Sequence, residues 1–174
     1  MNIFVVDHDP VVAAHLLCLK HLVKMPSETV MMLQHAFSKN EKSGYYFHPC
    51  SIWCRESRDN YQWLIQHGIA LCDAYKHAYK REHASYKKIK IIEDNYHFLD
   101  FPKSGLTPFA RAFSQYKQML DSTVPDTVEA YRKFYILDKP FAKWPELNKI
   151  PDWWIEKNAK YDDKNFINGN YTKR

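Results

Sequence analysis

Seven residues between positions 59 and 82 share one spacing. Tyr61, Leu64, Ile65, Gly68, Cys72, Tyr75 and Tyr79 recur in steps that return to the same face of an α-helix. A stripe of this kind is the buried side of a helix, and a helix of this length needs other elements to cover it. The rest of the chain agrees, because it holds only 4 glycines in 174 residues. That is too few for the many tight turns of a sandwich or a barrel. The expectation is an all-α fold. It is a single compact multi-helix domain over residues 1–157, with a short extended N-terminal arm and a polar C-terminal tail over 158–174.

The arm is the apolar run 2–6, too brief to stand as a helix and stopped by Asp7-His8-Asp9-Pro10. Asp9 before Pro10 is a helix start, with a carboxylate to cap and a proline at the first position. A first helix is expected from 10 to about 25. Val12, Leu16, Leu19, Leu22 and Val23 fall on its apolar side, and Lys20, His21 and Lys24 on the other. Pro26 lacks an N–H, so a kink or break is expected there, with 27–37 helical either way. If the helix continues past Pro26, Glu28 joins the polar arc. A polar loop (38–46), the long helix (59 to about 82) and a further helix (83–99) follow. A connector spans 102–108, and Thr107-Pro108 starts an amphipathic segment over 109–120. The sequence Val124-Pro125-Asp126-Thr127 introduces a last helix to about 137.

Two constellations carry possible chemistry. The first is Lys20, His21, Lys24 and Glu28. A lysine beside another cation in a partly dry pocket becomes a usable amine, and a neighbouring carboxylate can orient it or move its proton. A solvated helix face is the plainer alternative. The second is the stretch 48–64, HPCSIWCRESRDNYQWL. Burying Arg and Asn is unfavourable unless they find partners, whereas Arg with Trp suits phosphates and bases. His48, Trp53, Arg55, Asn60 and Tyr61, with Arg132 from the last helix, are the candidate substrate-binding residues. The candidate catalytic residues are Lys24, Glu28, His21 and Lys20. The two groups are expected to face each other as walls of one cleft.

Charge placement points to the partner. Residues 76–90 hold Lys76, Lys80, Arg81, Lys87, Lys88 and Lys90 against Glu82 alone, an excess as large as the net charge of +5 on the whole chain. Such a patch suits nucleic acid, with DNA the expected partner. No apolar run approaches a membrane span, and the N-terminus has no signal-peptide pattern. The expectation is a cytoplasmic protein whose Cys18, Cys50, Cys54 and Cys72 are free thiols. No phosphate-binding glycine loop is present, and no cofactor is expected. His48, Cys50 and Cys54 form only a loose trio, short of a zinc site, so no metal is expected. Three functions remain open: an enzyme acting on DNA bases, an enzyme acting on free nucleotides, and a non-catalytic module that binds nucleic acid or inhibits a host factor. The oligomeric state is left open.

Several segments together resemble a family of phage and bacterial proteins. Its D-x-D-P-x-x-A-A segment is matched by Asp7, Asp9, Pro10, Ala13 and Ala14. Its next segment is matched by Cys18, Lys20, His21, Lys24 and Glu28, with Leu17 and Leu19 replacing a histidine and an aspartate. The pattern HPxxxWxRxSxxNYxWL is matched by His48, Pro49, Trp53, Arg55, Ser57, Asn60, Tyr61, Trp63 and Leu64. His83, Ser85, Tyr131, Arg132, Tyr135 and Trp153-Trp154 follow. More distantly, the order of segments resembles the small all-helical phage pyrimidine-dimer DNA glycosylases. These have an N-terminal arm, a helix with a histidine and an essential glutamate near a proline, a long helix, and an aromatic-basic tail. The resemblance implies base excision from DNA by an amine with a carboxylate. In those enzymes the initiator Met is removed and the new α-amine attacks the sugar. Here residue 2 is Asn, a poor context for that removal, which shifts the amine role to Lys24 or Lys20.

Overall fold

The computed structural model describes residues 2–38, 41–42, 45–146 and 149–159. Among these residues the fold is all-helical, without strands. The order is α1 (Pro10–His15), α2 (Leu19–Ser38), α3 (Pro49–Glu56), α4 (Arg58–Tyr79), α5 (Ser85–Asn95), α6 (Lys117–Thr123), α7 (Thr127–Asp138) and α8 (Asp152–Ala159). Beyond residue 159 the polar tail lies outside the described residues. No described helix is long and apolar enough to cross a membrane.

The striped helix α4 is the axis. It packs against α1, α2, α3 and α5, and Tyr61, Leu64, Ile65, Cys72 and Tyr75 are buried on its stripe. Gly68 is where the helices come closest. A Cβ there would sit 2.7 Å from Thr29 Cγ2 of α2 and 3.0 Å from Ile89 Cδ1 of α5, so only glycine allows this crossing. Local signals set several helix starts. Asp9 caps α1 by accepting from the N–H groups of Val11 and Val12. Ser57 caps α4 through Asn60, and Asp126 caps α7 through Glu129.

Two segments depart from the sequence reading. The expected break at Pro26 falls instead at residues 16–18, and α2 runs unbroken through Pro26. The break is held from far away: the Cys18 N–H donates to the Tyr135 hydroxyl at 2.9 Å and the Leu19 N–H to the Lys143 carbonyl at 2.8 Å. Burial of Pro26 and its neighbours outweighs the one helical bond that proline removes. The second departure is the segment 109–113, which is not helical; α6 begins only at Lys117. The chain there is irregular because distant side chains take backbone bonds in and beside it. Asn60 Oδ1 accepts from the Thr107 N–H at 2.9 Å, and Tyr131 donates to the Ala110 carbonyl at 2.7 Å. Arg111 is clamped by Asp121, Thr127 and the carbonyls of Leu120, Val124 and Pro125.

Candidate active site

The arm is fully enclosed, and its first described residue is held on all sides. Asn2 is only 7% exposed. Its backbone N–H donates to Glu28 Oε2 at 3.0 Å, and its amide Nδ2 donates to the Ala112 carbonyl at 2.7 Å. Its Oδ1 accepts from the N–H groups of Ile3 (2.7 Å) and Phe4 (3.0 Å). This tight turn puts Phe4 at φ +54°, a backbone region that a phenylalanine rarely adopts. Such a strain costs about 1–3 kcal/mol, and packing offsets it. Phe4 stacks on His21 with centroids 4.3 Å apart and also meets the rings of Tyr131, Phe134 and Tyr135. Arg132 closes the arm by donating to the Val6 carbonyl at 2.9 Å and pairing with Asp7 at 3.4 Å.

Glu28 meets this arm from α2. It is 8% exposed, and a carboxylate so buried needs positive or donor partners. Oε2 faces the nitrogen of residue 2, and Oε1 faces Lys24 Nζ at 2.9 Å. Lys24 lies one turn back along α2, and its side chain is 67% exposed. Lys20 is exposed further along the same ridge, with Nζ 4.1 Å from the centre of the Phe141 ring. His21 lies on the buried side. Its Nδ1 is 2.6 Å from the Tyr135 hydroxyl. That hydroxyl also accepts from the Cys18 N–H. The His21 ring is uncharged. Burial, reinforced by Lys139 and Lys24, pushes its pKa down to about 3. At neutral pH His21 is the uncharged platform under Phe4.

His48 is the cap of α3. Its Nδ1 accepts from the Cys50 N–H at 3.2 Å. Burial lowers its pKa, while the charge of Glu28 acts on it in the other direction. Cys50, two residues further on, bonds to the backbone of Ile3, so the start of α3 abuts the arm.

The other members of the 48–64 stretch are spent inside the fold. Trp53 is buried, donates to the Thr107 carbonyl at 3.3 Å and meets the rings of Trp63 and Phe109. Asn60 is fully buried. It donates to the Trp53 carbonyl (2.8 Å) and Thr107 Oγ1 (2.7 Å). The Tyr61 hydroxyl donates to the Leu33 carbonyl at 2.8 Å. Arg55 lies 3.9 Å over the Tyr46 ring and donates to its carbonyl at 2.8 Å. The space in front of Glu28 and His21 is taken by the arm, so of the residues expected on the opposite wall only His48 stands at the site. Arg132 reaches the arm rather than open solvent, although its outer side lines a groove of about 890 Å³ between α7 and α8. Among the described residues no three His, Cys, Asp or Glu side chains gather as a metal-binding group, and all four cysteines are buried free thiols.

The basic segment sits beside the same ridge of α2. His83 Nε2 donates to the Val23 carbonyl at 3.1 Å, and the hydroxyls of Ser27 and Ser85 are 3.3 Å apart. Val23 and Ser27 flank Lys24, so the start of α5 is tied to the outer edge of α2 there. Lys76, Lys80, Lys87 and Lys88 are exposed, while Lys90 is paired with Glu93.

The helical fold encloses its own N-terminal arm and aims a buried carboxylate at the backbone N–H of residue 2. Residues 1–87, half the chain, match the family described as pyrimidine dimer DNA glycosylase, and the chain belongs to that family. The match spans the arm, α1 to α4 and the start of α5, and so includes Glu28, Lys24, His21 and His48 but not Arg132. No individual curated protein and no solved structure matches the chain. Reading the sequence alone missed Asn2, Phe4 and Tyr135 as parts of the site. The run of apolar residues after Asn2 was the available signal that the arm is buried.

Proposed function

We propose that this protein is a DNA-directed glycosylase of the amine-dependent kind, with Glu28 as its acid/base. The observation that carries the reading is the shared carboxylate: Glu28 holds the residue 2 nitrogen on one oxygen and Lys24 Nζ on the other. Either nitrogen supplies the amine that the chemistry requires. Residue 2 supplies it only once Met1 is removed, which turns its amide nitrogen into an amine. Burial favours residue 2 once Met1 is gone, although Asn at this position disfavours that removal; Lys24 carries its amine either way but lacks the dry pocket in which a lysine nucleophile works.

The amine's lone pair attacks C1′ of the deoxyribose as the bond from C1′ to the base breaks, and the base leaves with that electron pair. Glu28 takes the proton released by the attacking nitrogen and passes one to the opening sugar ring. The product is an imine between nitrogen and C1′, which water hydrolyses or which releases the 3′ phosphate by elimination. The exposed lysines of residues 76–88 support a DNA partner, because their place beside the Lys24 ridge suits a phosphate backbone.

The test is borohydride trapping on duplex DNA carrying a pyrimidine dimer, with the same duplex undamaged as control. The expected result is a covalent adduct on damaged DNA, mapped by peptide mass to the residue 2 nitrogen. An adduct on Lys24 keeps the reaction but moves the nucleophile. Salt-sensitive binding with no adduct and no strand products would replace the enzyme by a DNA-binding module.

A further inference from the structure

The fold fastens the arm from residue 3 onward without help from the Asn2 side chain. Cys50 bonds to the backbone of Ile3. The Phe4 ring packs among His21, Tyr131, Phe134 and Tyr135, and Arg132 holds the Val6 carbonyl. These contacts leave free the rotations at residue 2, which decide where its nitrogen points. The Asn2 side chain removes that freedom. Its Oδ1 accepts from the N–H groups of Ile3 and Phe4, which folds the start of the arm into the kind of turn that asparagine makes with its own backbone. Its Nδ2 donates to the Ala112 carbonyl at 2.7 Å. Both ends of the amide are therefore engaged, and the main-chain nitrogen comes to lie 3.0 Å from Glu28 Oε2.

The anchor for Nδ2 is itself held from α7. Tyr131 is fully buried. Its hydroxyl donates to the Ala110 carbonyl at 2.7 Å and accepts from the Ala112 N–H at 3.3 Å. This gives the non-helical segment a use. A helix there would commit the Ala112 carbonyl to the N–H of residue 116. Tyr116 instead donates to the Phe113 carbonyl, and the Ala112 carbonyl serves Asn2. The plainer reading is that these bonds only satisfy a buried amide. On that reading the arm loosens when the amide is lost, yet Ile3, Phe4 and Val6 are each fastened separately.

We propose that Asn2 is a positioning residue whose side chain aims the residue 2 nitrogen at Glu28. The inference rests on the proposed excision reaction with residue 2 as the amine. It adds that the side chain at the start of the arm, and not the nitrogen alone, sets the rate. An amine formed by loss of Met1 is still a donor to Glu28. Its approach to C1′ must be closely held, because a misplacement of about 1 Å costs about 10²-fold in rate.

The experiment uses wild type, Asn2→Ala and Asn2→Ser, each released from a cleavable N-terminal fusion as the chain beginning at residue 2. Mass spectrometry verifies that start, so no variant differs in Met1 removal. Single-turnover excision is measured at saturating duplex DNA carrying one pyrimidine dimer, together with DNA affinity, thermal midpoint and the position of the borohydride adduct. Asn2→Ala is expected to lose about 10²-fold in rate, with affinity within about twofold and a midpoint within a few degrees of wild type. In Asn2→Ser the hydroxyl keeps an acceptor for the turn but is too short to reach Ala112, so its rate should fall between the two. If Asn2→Ala does not fold, Asn2→Ser decides by the same measures. A variant rate within about threefold of wild type, with the adduct still on residue 2, overturns the positioning role and leaves the excision reading intact. A slower rate matched by an equal loss of affinity or by a collapsed midpoint also overturns it, and makes Asn2 a structural tie of the arm. A wild-type adduct on Lys24 overturns the inference but not the excision, and a wild type inert on the damaged duplex overturns both.

Discussion

The region around Glu28 and the stretch 48–64 are both dense in polar and aromatic side chains, and the fold uses them in opposite ways. Within 48–64 the polar groups close on one another. Asn60 satisfies the backbone of Trp53 and Thr107 together, and Tyr61 reaches a carbonyl of α2. Such bonds fasten α3, α4 and the connector after α5, and they leave little for a substrate. Glu28 is different. One of its partners is a mostly solvated ammonium and another is the nitrogen of residue 2. A group buried this deeply but paired with a mostly solvated ammonium can exchange protons with a substrate that approaches that ammonium. A polar cluster is thus a site when its bonds run outward and a scaffold when they run inward. Residue types alone do not distinguish the two.

The sharpest way to break this contrast is Glu28→Gln. The substitution keeps the side chain's size and an oxygen for the Asn2 N–H, but it removes the charge and the ability to carry a proton. Single-turnover excision should fall by about 10²- to 10⁴-fold, the usual worth of a positioned acid/base, with the thermal midpoint within a few degrees of wild type. A rate within tenfold of wild type would place the chemistry away from Glu28.

Asn60→Leu should do the reverse. It strands the Thr107 N–H and the Trp53 carbonyl in the interior, and unsatisfied groups of this kind cost about 1–3 kcal/mol each. A urea titration should show a loss of about 2–3 kcal/mol, while the excision rate per folded molecule stays within about twofold. Normal stability with abolished excision would return Asn60 to the site.

A third test uses two strongly depressed histidines, one beside Glu28's helix face and one just past the 48–64 stretch. Burial holds His67 of α4 at a pKa of about 3, and burial with nearby lysines holds His21 there too. Below pH 6.5 the unfolded chain takes up protons that the folded chain refuses, so both histidines lower stability as pH falls from 6.5 toward 3. The effect of each is at most about 1.4 kcal/mol per pH unit. His67 stacks on Trp63, and neither ring nitrogen has a hydrogen-bond partner among the described residues. His67→Phe should keep the stack, flatten the acid slope and add about 1 kcal/mol at neutral pH. His21→Phe removes the same titration but also the bond to Tyr135, so at neutral pH it should lose stability. Equal responses from the two variants would mean that the Tyr135 bond does not hold the arm's platform.

What was legible in the sequence follows the range of each interaction. The α4 stripe and the caps at Asp9 and Asp126 are local patterns, and the helices appear where those patterns put them. The break at 16–18 and the non-helical chain at 109–113 are decided by Tyr135, Lys143, Asn60 and Tyr131. Their contacts close between segments that no spacing connects. The site divides the same way. Glu28 and Lys24 are readable as neighbours one helical turn apart, and the basic run 76–90 is readable by inspection. A further partner of Glu28 is a main-chain nitrogen at residue 2, which no side-chain type announces. The enclosure of Trp53, Asn60 and Tyr61 depends on Thr107, Phe109 and Leu33, so the stretch that reads most like a binding surface is largely interior.

Lys24→Ala should have the smallest effect, and it separates the two amines. An ion pair whose lysine is 67% exposed contributes little, typically below about 1 kcal/mol, because water competes for the ammonium and salt screens it. Stability should therefore change by less than about 0.5 kcal/mol. If residue 2 is the nucleophile, Lys24 only balances the charge of Glu28 and helps hold a phosphate. Excision should then slow by no more than about fivefold at saturating DNA. The salt dependence of binding should become shallower by about one counterion, and the borohydride adduct should persist. If Lys24 is the nucleophile, the adduct vanishes and the rate falls with it, although the fold and the Asn2 contact to Glu28 remain. The same carboxylate would then serve the exposed nitrogen instead of the buried one, and the arm would be only a lid over the site.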